Sequence, residues 1–128
     1  MLAAEDNVTN QLVLTTVMQI FGFDLVMVDN GREAVVAWEA EPFDVILMDI
    51  QMPVMDGIAA TRAIRAAEIA LSRPRTPIIA LSANALTHQV NEYLDAGMDA
   101  HVAKPIELAK LQATLEAILM GAAATEAA

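Results

Sequence analysis

Apolar and polar positions change period repeatedly along this chain, and the changes mark its elements. Leu2 to Ala4 form an apolar run that Glu5-Asp6-Asn7 interrupt. From Val8 to Phe21 the residues Val13, Leu14, Val17, Ile20 and Phe21 recur at helical spacing, and Gly22 supplies a stop signal. Leu25 to Val28 predict a short buried strand. Asp29-Asn30-Gly31 then predict a turn that caps a helix running to about Ala40. Val45 to Met48 are continuously apolar, as in a strand covered on both faces, and lead into Asp49. Beyond a loop with Pro53 and Asp56-Gly57, a third helix is predicted. Ala60, Ile64, Ala67 and Leu71 mark one face of it, and Arg62 and Arg65 another. Ile78 to Leu81 make a fourth strand ending in Ser82, and a helix with Leu86, Val90 and Leu94 closes at Gly97. A strand at Ala100 to Ala103 leads into Lys104-Pro105, and the last helix carries Leu108, Leu111, Leu115, Ile118 and Leu119.

Five strands alternating with five helices predict the α/β class: a doubly wound, five-stranded parallel sheet with helices on both faces, because parallel strands need crossover connections. The expected organisation is one domain over residues 1–120, followed by a tail or linker stub at 121–128. In open parallel sheets, ligands bind beyond the carboxyl ends of the strands where strand order reverses. Glu5-Asp6, Asp49, Ser82 and Lys104 each stand at such an end, so they are expected to meet at one edge.

Composition narrows the function. The 128 residues are 56% hydrophobic and 19% charged, which fits a globular fold. No apolar run approaches the roughly 18 residues a membrane span needs, and a cytosolic location is expected. The net charge of −10 disfavours nucleic acid and anionic membrane surfaces as partners. There are no cysteines, and His88 and His101 alone make a poor zinc site.

Three carboxylates gathered at one edge repel unless a cation offsets them. Mg²⁺ takes one or two carboxylates, keeps several waters and accepts phosphate oxygens, while Lys104 adds charge without being a ligand. Such a site suits a carboxylate nucleophile attacking phosphorus, with an acyl phosphate on Asp49 as product. Singly, each residue has an ordinary explanation: Asp49 as a turn residue, Glu5-Asp6 at a helix start, Ser82 as a cap, Lys104 solvated, Pro105 opening a helix. Jointly, those explanations need four coincidences at four strand ends.

In Ala4-Glu5-Asp6-Asn7, the run from Val45 to Gly57 containing Met48-Asp-Ile-Gln-Met-Pro53, Pro77 to Ser82, and Lys104-Pro105, the chain resembles the phosphoacceptor receiver domains of two-component response regulators. The wording is most similar to receivers of hybrid sensor histidine kinases. The resemblance implies a flavodoxin-like strand order 2-1-3-4-5. It implies that Asp49 is the phosphoacceptor, that Asp6 and Asp49 bind Mg²⁺ with Glu5 helping through a water, and that Gln51 offers its backbone carbonyl to the metal. Ser82 would bond the phosphoryl group after transfer, Lys104 would contact it, and the bond before Pro105 would be cis. Gln51 and Asn84 would flank the route of attacking water and tune the lifetime of the phosphoryl group. The donor would be a histidine kinase or histidine phosphotransfer protein. The output partner would read the face made by the fourth helix, fifth strand and fifth helix of a monomer able to dimerise when phosphorylated.

Three departures from the family pattern stand out. The first strand lacks a residue or two of its usual start, which suggests a trimmed beginning or a weakened strand. Ser82 replaces the commoner threonine, keeping the hydroxyl. His101 occupies the switch position where tyrosine or phenylalanine is usual, and as a half-buried polar residue it has an ordinary reading too. Two other functions compete. A small-molecule phosphatase using the same chemistry would want a second acid where Gln51 stands. A phosphorylation-independent docking module would not need the acidic set at all. The expected protein is therefore no enzyme in the turnover sense, acting only on its own phosphorylation state.

Overall fold

The computed structural model describes residues 1–83, 87–104 and 106–127, and the side chains at 87–88 and 120–127 are outside that description. The elements are β1 (Leu2–Ala4), α1 (Val8–Phe21), β2 (Val26–Val28), α2 (Gly31–Ala40), β3 (Ile46–Asp49), α3 (Gly57–Ala70), β4 (Ile78–Ser82), α4 (Thr87–Ala96), β5 (Ala100–Ala103) and α5 (Leu108–Ala127). Every predicted strand and helix is present. The backbone of α5 is helical to Ala127, across most of the 121–128 stretch expected as a tail or linker stub.

All strand pairs are parallel and the order is β2-β1-β3-β4-β5, as expected. Although only three residues long, β1 is an inner strand: Leu2, Ala3 and Ala4 pair with Val26, Met27 and Val28 on one side and Ile46, Leu47 and Met48 on the other. Alternation along the strands builds two apolar layers. Leu2, Ala4, Ile46, Met48, Ile78 and Ala80 face the side covered by α2, α3 and α4, where Trp38, Ile64 and Tyr93 pack. Ala3, Leu47, Ile79, Leu81 and Val102 face α1 and α5, against Leu14, Met18, Leu111 and Leu115. Each fully buried Leu or Ile stabilises the fold by roughly 1.5–3 kcal/mol.

Several expected faces are rotated. In α1 the buried stripe is Leu14, Val17 and Met18, while Ile20 is 65% exposed and Val13 lies at the surface. Strand β2 is an edge strand and Val26 is 41% exposed, so the expectation of a buried strand fails because β2 has a neighbour on one side only. Leu71 and Leu94 are exposed too, and Tyr93 and Ala96 take the buried positions of α4. Arg65, assigned to an outer face of α3, turns inward. Leu86 lies outside the described residues.

Candidate functional site

The two strand parities decide which side chains meet. Glu5, Asp49 and Lys104 each follow a residue of the α2/α3/α4 face, so they continue the alternation on the α1/α5 side of the sheet's carboxyl edge. Ser82 falls on the opposite parity, in line with Ala80. Local chain chemistry fixes these positions further. Asn7 is the N-cap of α1 and accepts from the Asn10 backbone N–H at 3.1 Å, so the chain leaves β1 and enters α1 within three residues. Asp56 caps α3 in the same way, through the Ala59 N–H at 2.8 Å. Behind Asp49, Gly57 packs so closely that a Cβ there would collide with the Asp49 carbonyl, and its N–H donates to Ile50 O at 3.0 Å.

The result is a cleft of ≈ 340 Å³ lined by Glu5, Asp6, Asn7, Asp49, Gln51, Ser82 and Lys104, among others. The expected convergence of strand-end residues is therefore real. Asn84 and Pro105, expected as a tuning residue and a cis-proline, lie outside the described residues.

Within the cleft the charges are unbalanced. Carboxylate oxygens of Glu5, Asp6 and Asp49 all lie within 4.8 Å of one another. Glu5 is fully buried and Asp49 is 3% exposed, whereas Asp6 is open to solvent. The single ammonium among them, Lys104 Nζ, stands 3.1 Å from Glu5 Oε2 and 3.1 Å from Asp49 Oδ1. Glu5 Oε1 accepts from the Asn7 N–H at 3.3 Å and from Asn10 Nδ2 at 3.1 Å, but Glu5 Oε2 is buried with no properly formed hydrogen bond.

These surroundings set the protonation states. Burial pushes the Asp49 carboxyl up to about 6. The Lys104 hydrogen bond opposes that rise, and the nearby Glu5 charge adds to it. Burial alone would lower Lys104, yet its hydrogen bonds to Asp49 and Glu5 prevail and raise it, so the ammonium stays charged. A buried carboxylate oxygen that must share its one ammonium with Asp49, beside two more acids and an open rim, suits a hard divalent cation with oxygen ligands. Glu5, Asp6 and Asp49 are the residues able to hold one.

Two neighbours were not foreseen in the sequence. Asn10 reaches back one helical turn to Glu5, a signal present in the Asn7–Asn10 spacing at the start of α1. Tyr93 of α4 also lines the cleft and stacks on His101, with ring centroids 6.0 Å apart. His101 itself stands with Nε2 3.3 Å from Ser82 Oγ. Burial lowers the His101 pKa, favouring the neutral ring.

Comparison with known proteins agrees with this geometry. The chain is 41% identical over 121 residues to the peroxide stress-activated histidine kinase mak1 of Schizosaccharomyces pombe. That match covers 92% of this chain but 7% of mak1, so the similarity is to a small part of a much longer relative. Among solved structures, the receiver domain of sensor histidine kinase PA1611 from Pseudomonas aeruginosa, which has magnesium coordinated in its active-site cleft, is 42% identical with a TM-score of 0.82. The alignment covers 92% of this chain and 94% of that one. A co-crystal structure of the Saccharomyces cerevisiae phosphotransfer protein Ypd1 with the receiver domain of Ssk1 matches at 30% identity and TM-score 0.84, over 90% of this chain and 84% of that one. The family model for the response regulator receiver domain spans residues 1–116, and with the fold and cleft above it shows that the chain belongs to that family.

Proposed function

We propose that this domain is a phosphorylation-controlled switch, in which Asp49 takes a phosphoryl group from a phosphohistidine of a histidine kinase or histidine phosphotransfer protein. An Asp49 carboxylate oxygen forms the new bond to phosphorus. The phosphorus–nitrogen bond of the donor breaks, and the departing imidazole keeps the electron pair and takes up a proton. The observation that carries this reading is Lys104 Nζ bridging Glu5 and Asp49 at 3.1 Å each inside an otherwise acidic cleft.

Each residue then has a task. Asp49 attacks as the carboxylate, so its buried position must be offset before it can ionise fully at neutral pH. Asp6 and Asp49 would hold Mg²⁺ directly and Glu5 through a water, with the Gln51 backbone carbonyl as a further oxygen. When bound, the metal neutralises charge on the phosphoryl oxygens. Lys104 follows the transferred group by turning from Glu5 towards it. Ser82 donates its hydroxyl to a phosphoryl oxygen. Holding that group favours a conformer whose α4–β5–α5 face binds the output partner, and a few kcal/mol of differential binding suffices for such a population shift. Mg²⁺ in the PA1611 receiver and the Ypd1–Ssk1 pairing support the metal and donor class for this chain.

Incubation with Mg²⁺ and acetyl phosphate tests the reading by mass. The expected result is one added phosphoryl group, lost in Asp49→Asn and on chelation. Unchanged mass in the wild type, or a gain that survives Asp49→Asn, rejects it. Steady hydrolysis of a generic phosphate ester would instead favour a phosphatase. Partner binding indifferent to Asp49→Ala and to chelation would favour a docking module.

A further inference from the structure

Two neighbouring side chains near the start of α1 reach back to Glu5. Gln11 Nε2 donates to the Glu5 backbone carbonyl at 2.6 Å and to Asp29 Oδ1 at 2.7 Å, which fixes the main chain. Asn10 Nδ2 donates to Glu5 Oε1 at 3.1 Å, which fixes the side chain. A carboxylate only accepts, so the Asn10 amide must offer its N–H₂ group there.

The second tie decides something the backbone leaves open. The last torsion of a glutamate is broad and nearly two-fold, so nothing intrinsic sets where each oxygen points. Lys104 does not set it either. Its Nζ stands 3.4 Å from Oε1 and 3.1 Å from Oε2, and it is shared with Asp49. The Asn7 N–H at 3.3 Å and Asn10 Nδ2 at 3.1 Å both select Oε1. Oε2 is left with the shared ammonium and no well-formed hydrogen bond. The helix itself has no need of this amide. The cap of α1 is made by Asn7 Oδ1 and the Asn10 backbone N–H, and asparagine is a poorer helix former than alanine.

We propose that Asn10 is a positioning residue for Mg²⁺: its amide fixes the buried Glu5 carboxylate with Oε1 filled and leaves Oε2 open to the hydrated cation. This inference rests on the proposed use of Glu5, Asp6 and Asp49 as the metal site. Groups that orient a direct metal ligand change affinity by roughly 10–100-fold. Glu5 acts through a water, so the effect of Asn10 falls below that range.

Calorimetric titration with Mg²⁺ tests it with no phosphate present. Asn10→Ala keeps the cap and is expected to weaken Mg²⁺ binding about fivefold. In a Glu5→Ala background, the same change is expected to alter binding less than about twofold, because the group it acts through is gone. Asn10→Gln returns an N–H₂ group to α1 and is expected to recover part of the affinity. Urea unfolding followed through Trp38 establishes that each variant is folded. With acetyl phosphate, labelling of Asn10→Ala is expected to be slow at limiting Mg²⁺ and to recover as Mg²⁺ saturates. Wild-type affinity in Asn10→Ala, equal weakening with and without Glu5, or a labelling defect that Mg²⁺ does not relieve would overturn the inference while leaving Asp49 as acceptor. A wild-type chain that binds no Mg²⁺ would sink the proposed metal site, and this inference with it. A wild-type chain that binds Mg²⁺ but takes no phosphate would sink the acceptor role of Asp49, while the calorimetric cycle still decides Asn10.

Discussion

Two clusters of charged side chains sit at opposite ends of the same sheet, and they are built on opposite plans. At the amino ends of β4 and β5, the Arg65 guanidinium donates to both Glu68 oxygens (2.9 and 3.0 Å), to Thr76 O (2.8 Å), to Gly97 O (2.9 Å) and to Asp99 Oδ2 (2.9 Å). Backbone N–H groups complete the set: Thr76 donates to Glu68 Oε2 at 2.6 Å and Ile78 to Asp99 Oδ2 at 2.9 Å. Arg75 fills Asp99 Oδ1 at 2.8 Å. Two guanidinium groups meet two carboxylates, and all four carboxylate oxygens are occupied. At the carboxyl ends, three carboxylates gather around one ammonium, and the buried Glu5 Oε2 has only the ion pair with Lys104 that Asp49 shares, with no well-formed hydrogen bond of its own. The first cluster closes the fold between α3, β4 and β5. The second keeps unspent electrostatic potential for something that arrives from outside. Burial of charge alone does not distinguish a structural site from a binding site; completeness of pairing does.

The comparison breaks most severely if the closed cluster is opened. Arg65→Met leaves the buried Glu68 without its cation and takes the inner cation from half-buried Asp99, and removing one partner of a buried pair costs about 3–5 kcal/mol. Urea unfolding followed through Trp38, which is fully buried and donates to Thr76 Oγ1 at 3.2 Å, reads that loss directly. A midpoint within experimental error of wild type would show that the network is incidental. Under native conditions the variant should retain acetyl phosphate labelling, because the acidic cleft lies at the other edge.

The open cluster has the opposite signature in pH. Asp49 has a folded pKa of about 6 against an ordinary 3.8, so between those values the native state binds more protons than the unfolded chain. Stability contributed at Asp49 is thus lost as pH rises through that window, on the order of 2 kcal/mol for the metal-free protein. Asp49→Asn removes this part of the slope, so the stability difference between variant and wild type should widen in the variant's favour from about pH 4 to about pH 7. Saturating Mg²⁺ should narrow it again, since cation binding favours the ionised form and should itself weaken below about pH 6. Chemical denaturation of both proteins, with and without Mg²⁺, checks the sign. A constant difference across this range would mean that Asp49 ionises without penalty.

How much of this was readable in the sequence follows from the same contrast. The acidic cleft was legible because its residues end strands, and parallel topology brings strand ends together whatever the packing beneath them. Strand existence and the span of α1 were legible from period and from Gly22. The closed cluster was not. Arg65 looked like an outer-face residue of α3, and its partners Thr76, Gly97 and Asp99 lie 11, 32 and 34 residues away, beyond the reach of any local pattern. Rotation of α1 was ambiguous for a related reason: with no charged residue between Val8 and Phe21, periodicity fixed the helix but could not decide between Ile20 and Met18 for the core. The hydrogen bond between Ser82 and His101 depends on the register of β4 with β5, which composition does not encode.

The smallest expected effect separates the two arginines that share Asp99. Arg75 reaches Asp99 Oδ1 from the rim with its side chain 57% exposed, whereas the Arg65 side chain is 13% exposed and bound on every side. Exposed ion pairs contribute little because water solvates both charges and a long side chain must be held in place. Arg75→Ala should therefore cost about 0.5 kcal/mol, with most of that loss disappearing at high salt. Asp99 retains Arg65 and the Ile78 N–H in that variant, so no buried carboxylate is left unpaired. A loss comparable with Arg65→Met would show that the cluster works as a single cooperative unit. A small, salt-sensitive loss would locate its strength in the one guanidinium whose donors reach α3, the connector before β4 and the turn before β5 together.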